Sequence, residues 1–132
     1  MNRDREPSPL SFFNDSIDLS YLQKIGKNDP RFILQMLQSF ASTAQLIKER
    51  LSSAVKSRDH QVVAEELHKL VFALGVVGAN RALAAVRDLE EKVKEGQIGH
   101  EEVEKNCTQL DQALELLIRE AQLRSNEYSE MT

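Results

Sequence analysis

The sequence lacks any stretch long and apolar enough to span a bilayer, and it lacks a charged, apolar, small-residue leader, so neither a membrane span nor export is expected. It has a single cysteine, Cys107, which cannot form an internal disulfide, and the cytoplasm is therefore the default compartment. Only three prolines and five glycines occur in 132 residues, against many Leu, Ala, Glu, Gln and Lys. With no alternating β-branched run to argue for strands, the composition favours an all-α chain. Clusters of Lys and Arg are missing too. A formal charge of −4 and a pI near 5.4 disfavour nucleic-acid and anionic-membrane partners and leave a protein partner as the expectation. There is no Gly-rich phosphate loop and no serine paired with a base, so hydrolase and ATP-binding readings lack their residues. No internal repeat or low-complexity segment interrupts the chain, whose length is that of one domain able to bury roughly two thirds of its unfolded surface.

What is present is helical periodicity. Residues 1–14, MNRDREPSPLSFFN, read as a flexible N-terminal arm from which Leu10, Phe12 and Phe13 can pack onto the body of the protein. Asp15 or Ser16 is placed to cap a short helix from Ile17 to Ile25, with Ile17, Tyr21 and Leu22 at helical spacing and Gly26 stopping it. Asn28-Asp29-Pro30 starts a long helix, a capping carboxylate followed by a proline whose missing N–H is not needed in the first turn. That helix is expected to run to Ser57, burying Ile33, Leu37, Phe40, Ala44, Ile47, Leu51 and Val55. Asp59 can cap the next helix, His60 to Val77. Another runs from Ala79 or Asn80 to Gly96, and the last from Glu101 to Leu123, with Val103, Cys107, Leu110, Leu114, Leu117 and Ala121 inside. The short connections make neighbours antiparallel. The expected architecture is an antiparallel up-down four-helix bundle with a short extra N-terminal helix, over residues 15–123, followed by a polar C-terminal tail, 124–132.

The stretch Glu65 to Asn80, EELHKLVFALGVVGAN, sets a histidine on an otherwise apolar helix and follows it with two glycines. Val63, Leu67, Leu70, Leu74 and Val77 make one core-facing stripe, while His68 falls in a neighbouring row with Gln61, Glu65, Phe72, Gly75 and Ala79, at the border with solvent. Glycine costs a helix interior roughly 1 kcal/mol relative to alanine. Two of them near the histidine suggest a surface kept low for something to approach. His60 and His100 fall at helix starts far apart in sequence, and with no second His, Cys or carboxylate at ligand spacing no metal site is expected. Cys107 reads as a small hydrophobe on a buried stripe.

The run His68, Leu70, Ala73, Gly78, Ala79, with Leu83 and the Leu89-Glu90 pair downstream, resembles the histidine-containing phosphotransfer (HPt) domain, whose signature is roughly H-x-L-K-G-[SA]-x-x-x-x-G-[AL]. Upstream, Gly26 to Phe32 (GKNDPRF) and the Phe40 segment look like the second helix of the same family, and the resemblance covers residues 17 to 121. It implies that Nε2 of His68 accepts a phosphoryl group from the aspartyl phosphate of a response-regulator receiver domain and relays it in a two-component phosphorelay. The chain would then be a phosphocarrier rather than a self-sufficient enzyme. It would need no cofactor of its own, because the receiver brings magnesium, and would act as a monomer with a receiver or a hybrid sensor histidine kinase as partner. Imidazole suits this chemistry, because at neutral pH its lone pair is available without a general base. Two positions depart from the pattern, since the family lysine three residues past the histidine is Val71 and the glycine after it is Phe72. Lys69, adjacent to His68, or Arg81 could balance phosphate charge in place of the lysine, whose loss would slow transfer or alter phosphohistidine lifetime rather than forbid transfer. Phe72 would either obstruct the receiver or anchor it as a central aromatic, with Gln61, Val71, Gly75 and Ala79 completing the face. A module that has lost transfer and regulates a receiver or kinase by docking alone is the alternative. A kinase dimerisation domain also carries a helical histidine, but usually with an acidic neighbour where this chain has Lys69.

Overall fold

The computed structural model describes residues 13–132, and over these the chain is all-helical, with five helices and no strand. They are α1 (Ser20–Ile25), α2 (Pro30–Lys56), α3 (His60–Val76), α4 (Asn80–Lys94) and α5 (His100–Glu130). Leu10 and Phe12, expected to pack on the body, lie outside the described residues; Phe13 is buried. None of the helices is long and apolar enough to cross a membrane.

α2 and α3 each start where a neighbouring aspartate can satisfy a free backbone donor. The Asp29 carboxylate accepts from the Arg31 N–H at 3.0 Å, with Pro30 in the first turn of α2. The Asp59 carboxylate accepts from the Val62 N–H at 3.2 Å to start α3. α2 lies against both α3 and α5, and α4 packs on α3. Lys48 reaches both Asp111 and Glu115, whereas Val55 and Lys56, further along α2, share a hollow with Glu104 and Cys107, so α2 and α5 run in opposite directions. Between the helices Phe40, Ile47, Leu67, Leu70, Leu74, Leu110 and Leu114 are all buried in one cluster. Complete burial of a leucine side chain is worth roughly 1.5–3 kcal/mol.

Two boundaries differ most from the sequence expectation, each for a structural reason. Asp15 does not cap α1. Its carboxylate instead accepts from the Arg81 and Ala82 N–H groups at 2.7 and 3.1 Å, capping α4, whose own N-cap residue is Ala79 and offers no side-chain acceptor. Residues 15–19 are consequently non-helical and α1 begins at Ser20, where the Asp18 carboxylate accepts from the Ser20 N–H and hydroxyl. This strap is pinned at several points: Asp18 N–H donates to the Val77 carbonyl at 2.9 Å, Ile17 N–H to Glu120 Oε1 at 3.0 Å, and Arg124 Nη1 to the Ile17 carbonyl at 2.8 Å. At the other end, the polar tail expected from 124 is helical as far as Glu130, because Ala121, Ser125 and Tyr128 continue the inward-facing row of α5.

The glycines also serve purposes other than the one their spacing suggests. Gly78 is past the end of α3 in the left-handed region, φ 71°, and a Cβ there would run into the Asp18 carbonyl oxygen. Gly75 lets α4 close on α3, since its Cβ would stand 3.2 Å from Leu83 Cδ1. Their small size is used inside the fold.

Candidate functional site

His68 leaves the middle of α3 with its side chain 76% exposed, while Nδ1 lies 3.0 Å from Oε2 of Glu90 on α4. The Glu90 side chain is 11% exposed and its carboxylate sits at the α3–α4 seam, where Lys94 Nζ lies 3.9 Å from the same oxygen. An ionised carboxylate only accepts, so against it Nδ1 is the nitrogen that donates and the lone pair of the neutral ring is on Nε2. Two elements thus fix one ring: α3 supplies its position and α4 its tautomer. A glutamate in the buried stripe of α4, between Val86 and Val93, is the sequence signal for this pairing; the pattern shows an acid among core positions but not which residue it faces.

Depressions open on either side of the imidazole. One, about 800 Å³, runs along α3 and α4 between His60 and His68, with Ala64 and Val93 as apolar floor and Gln61, Lys69 and Lys94 around it. The other, about 440 Å³, is bounded by Tyr21, Val71, Phe72, Val76 and Arg87. Phe72 is 77% exposed and Tyr21 56% exposed, an unusual amount of aromatic surface to leave in water beside one histidine.

The candidate residues of the sequence fall into two groups. Gln61, Lys69, Val71, Phe72 and Gly75 do line the two depressions with His68. Ala79 and Arg81 do not. Ala79 is wholly buried where α4 begins, and Arg81, whose N–H is held by Asp15, borders neither depression. Lys69 is committed elsewhere: its Nζ lies 3.0 Å from Oε2 of Glu66, a carboxylate whose side chain is 5% exposed and whose Oε1 has no partner. Sequence reasoning misses Glu90 as a partner of the histidine, and with it Tyr21, Arg87 and Lys94.

His60 and His100, apart in sequence, meet where α3 and α5 begin, with His60 Nε2 2.9 Å from His100 Nδ1. Their rings are nearly coplanar, 11° apart, with centroids at 5.1 Å. That separation is what an in-plane N–H···N bond requires once each ring's radius is added, so the contact is edge to edge rather than face to face. Among the described residues no three His, Cys, Asp or Glu side chains converge as metal ligands would. No family model matches the chain, no curated protein matches it, and no solved structure matches it.

Proposed function

We propose that this protein is a histidine phosphotransfer module: α2–α5 form an antiparallel four-helix bundle with α1 as a lid, and His68 is the phosphoacceptor. One observation carries the reading: an exposed imidazole in mid-helix whose Nδ1–H is held by a nearly buried carboxylate, leaving Nε2 outward as a nucleophile. Nε2 attacks the phosphorus of a receiver's aspartyl phosphate. The N–P bond forms as the P–O bond breaks, and the aspartate leaves as a carboxylate with the electron pair. The Nδ1 proton stays where it was, so the phosphorylated ring is a cation, and Glu90 stabilises that charge. Return of the phosphoryl group follows the same path in reverse. Such transfers depend chiefly on positioning and charge neutralisation, and the receiver supplies magnesium and most of the polar groups. Cytoplasmic action as a monomer fits this role.

The docking-only alternative keeps the fold and the face but not the transfer, and Val71 with the exposed Phe72 favours it. Both readings are tested together by incubation with a phosphorylated receiver. Transfer gives acid-labile, alkali-stable phosphate on this chain that disappears in His68→Gln. Binding without phosphate, weakened tenfold or more in Phe72→Gly, would establish the docking module, since truncating a central aromatic often costs about 2 kcal/mol. Phosphotransfer gained by Phe72→Gly would instead mark the phenylalanine as an obstruction.

A further inference from the structure

A phosphoryl group on His68 would bring up to two negative charges to the surface of α3, beside a carboxylate that already faces the ring. Three cations stand near enough to matter. Lys69 is tied to Glu66, and drawing it away would leave a carboxylate that is 5% exposed with neither oxygen partnered. Lys94 lies 3.9 Å from the oxygen of Glu90 that also meets His68, so it is already shared with that carboxylate. Arg87 is different. It is exposed on α4, it makes no ion pair and no side-chain hydrogen bond among the described residues, and it lines the same depression as His68 and Phe72. It is also three residues before Glu90, hence on the adjoining turn of the same helix face. Glu90 fixes the ring and Arg87 stands one turn away with an unused guanidinium.

We infer that Arg87 is the phosphate-binding residue of this site, its guanidinium pairing with the phosphoryl oxygens once Nε2 of His68 carries the group. The inference rests on the phosphoacceptor reading of His68. Guanidinium is well matched to a phosphoryl group because its planar fork donates to two oxygens at once, which a lysine ammonium cannot match. It also explains how the site can work with Val71 where a cation would otherwise stand. Charge is supplied across the α3–α4 seam instead of from α3 itself. Arg81, the other arginine of α4's first half, is excluded by its position outside the depression.

The test needs no receiver. Phosphoramidate, a small donor that phosphorylates imidazole, is added to the full chain and the phosphohistidine followed by ³¹P NMR, with its chemical shift titrated against pH. A guanidinium on the phosphoryl oxygens favours the dianion, so the midpoint of the shift titration is expected to rise by roughly half to one pH unit in Arg87→Gln. It should recover partly in Arg87→Lys and stay at the wild-type value in Arg81→Gln. A wild-type midpoint in Arg87→Gln would overturn the assignment, and a shifted midpoint in Lys94→Gln or Lys69→Gln would then name the cation used instead. If wild type gives no phosphohistidine signal, or if the signal persists in His68→Gln, the phosphoacceptor reading itself fails and the role of Arg87 falls with it. Amide spectra of each variant, unchanged away from residue 87, separate loss of charge from loss of fold.

Discussion

At Nδ1 of His68, Glu90 is the hydrogen-bond partner, and that bond bears directly on which ring nitrogen carries the proton. A free imidazole distributes its proton between the two nitrogens; one held by a carboxylate does not. In Glu90→Ala the Nδ1–H tautomer should lose its dominance, which ¹⁵N–¹H correlation spectra of the ring would report directly. On the phosphoacceptor proposal, phosphotransfer should fall about 10–100-fold, the equivalent of the roughly 1.5–3 kcal/mol that a hydrogen bond to a charged group contributes. An unchanged tautomer would mean the carboxylate does not hold the ring in solution. Cys107 illustrates the opposite case, a reactive atom type kept inert. Burial between α2 and α5 pushes its thiol up to about 11, and only the thiolate attacks. An aromatic disulfide reagent at pH 8 should leave native Cys107 unmodified and label it at once in urea. The sign of the linkage follows: the stabilisation from a neutral buried thiol is complete below its ordinary value of 9.0 and is lost as the pH rises toward about 11. Thermal midpoints should fall across that alkaline window, and less so in Cys107→Ala.

Among the elements, α4 has the least local reason to start where it does, since Ala79 gives it no cap. The carboxylate that completes it comes from a residue more than sixty positions earlier. Asp15→Ala should cost about 0.5–2 kcal/mol in a denaturant melt, the usual value of an N-cap, and should raise amide exchange at Arg81 and Ala82 more than elsewhere. Protection unaltered at those two amides would show that the cap does not form. Capping signals are ordinarily read from residues adjacent to a helix, and that is why the sequence points Asp15 at α1. The starts of α2 and α3 are legible because Asp29 and Asp59 act on their own helices. The row Ala121, Ser125, Tyr128 is harder to see, because its serine and tyrosine count as polar although both lie inward. The same limit applies to the site. His68 and its exposed row are a property of one helix and can be read from periodicity, whereas Glu90 and Arg87 belong to another helix and become neighbours only through packing.

For the molecule as a whole, the core is a single cluster, and Leu70 lies in it fully buried. Leu70→Ala should cost about 2–5 kcal/mol, measurable as a lower denaturant midpoint with the slope preserved. A loss below about 1 kcal/mol would contradict the packing of α3 described above. Cooperative unfolding is expected despite the mostly neighbouring contacts, because the strap of residues 15–19 joins the α3–α4 turn to the far end of α5. That strap has a bearing on biosynthesis. A chain emerging from the ribosome folds from its N-terminal side as soon as partners are available, and α2 and α3 can pair while α5 is still being made. The residues that bind Ile17, however, are Glu120 and Arg124, 103 and 107 positions further along the chain. The strap can thus fasten to Val77, Arg81 and Ala82 before α5 is complete, and a nascent chain stopped short of Glu120 would hold paired helices with its strap still unfastened at that end.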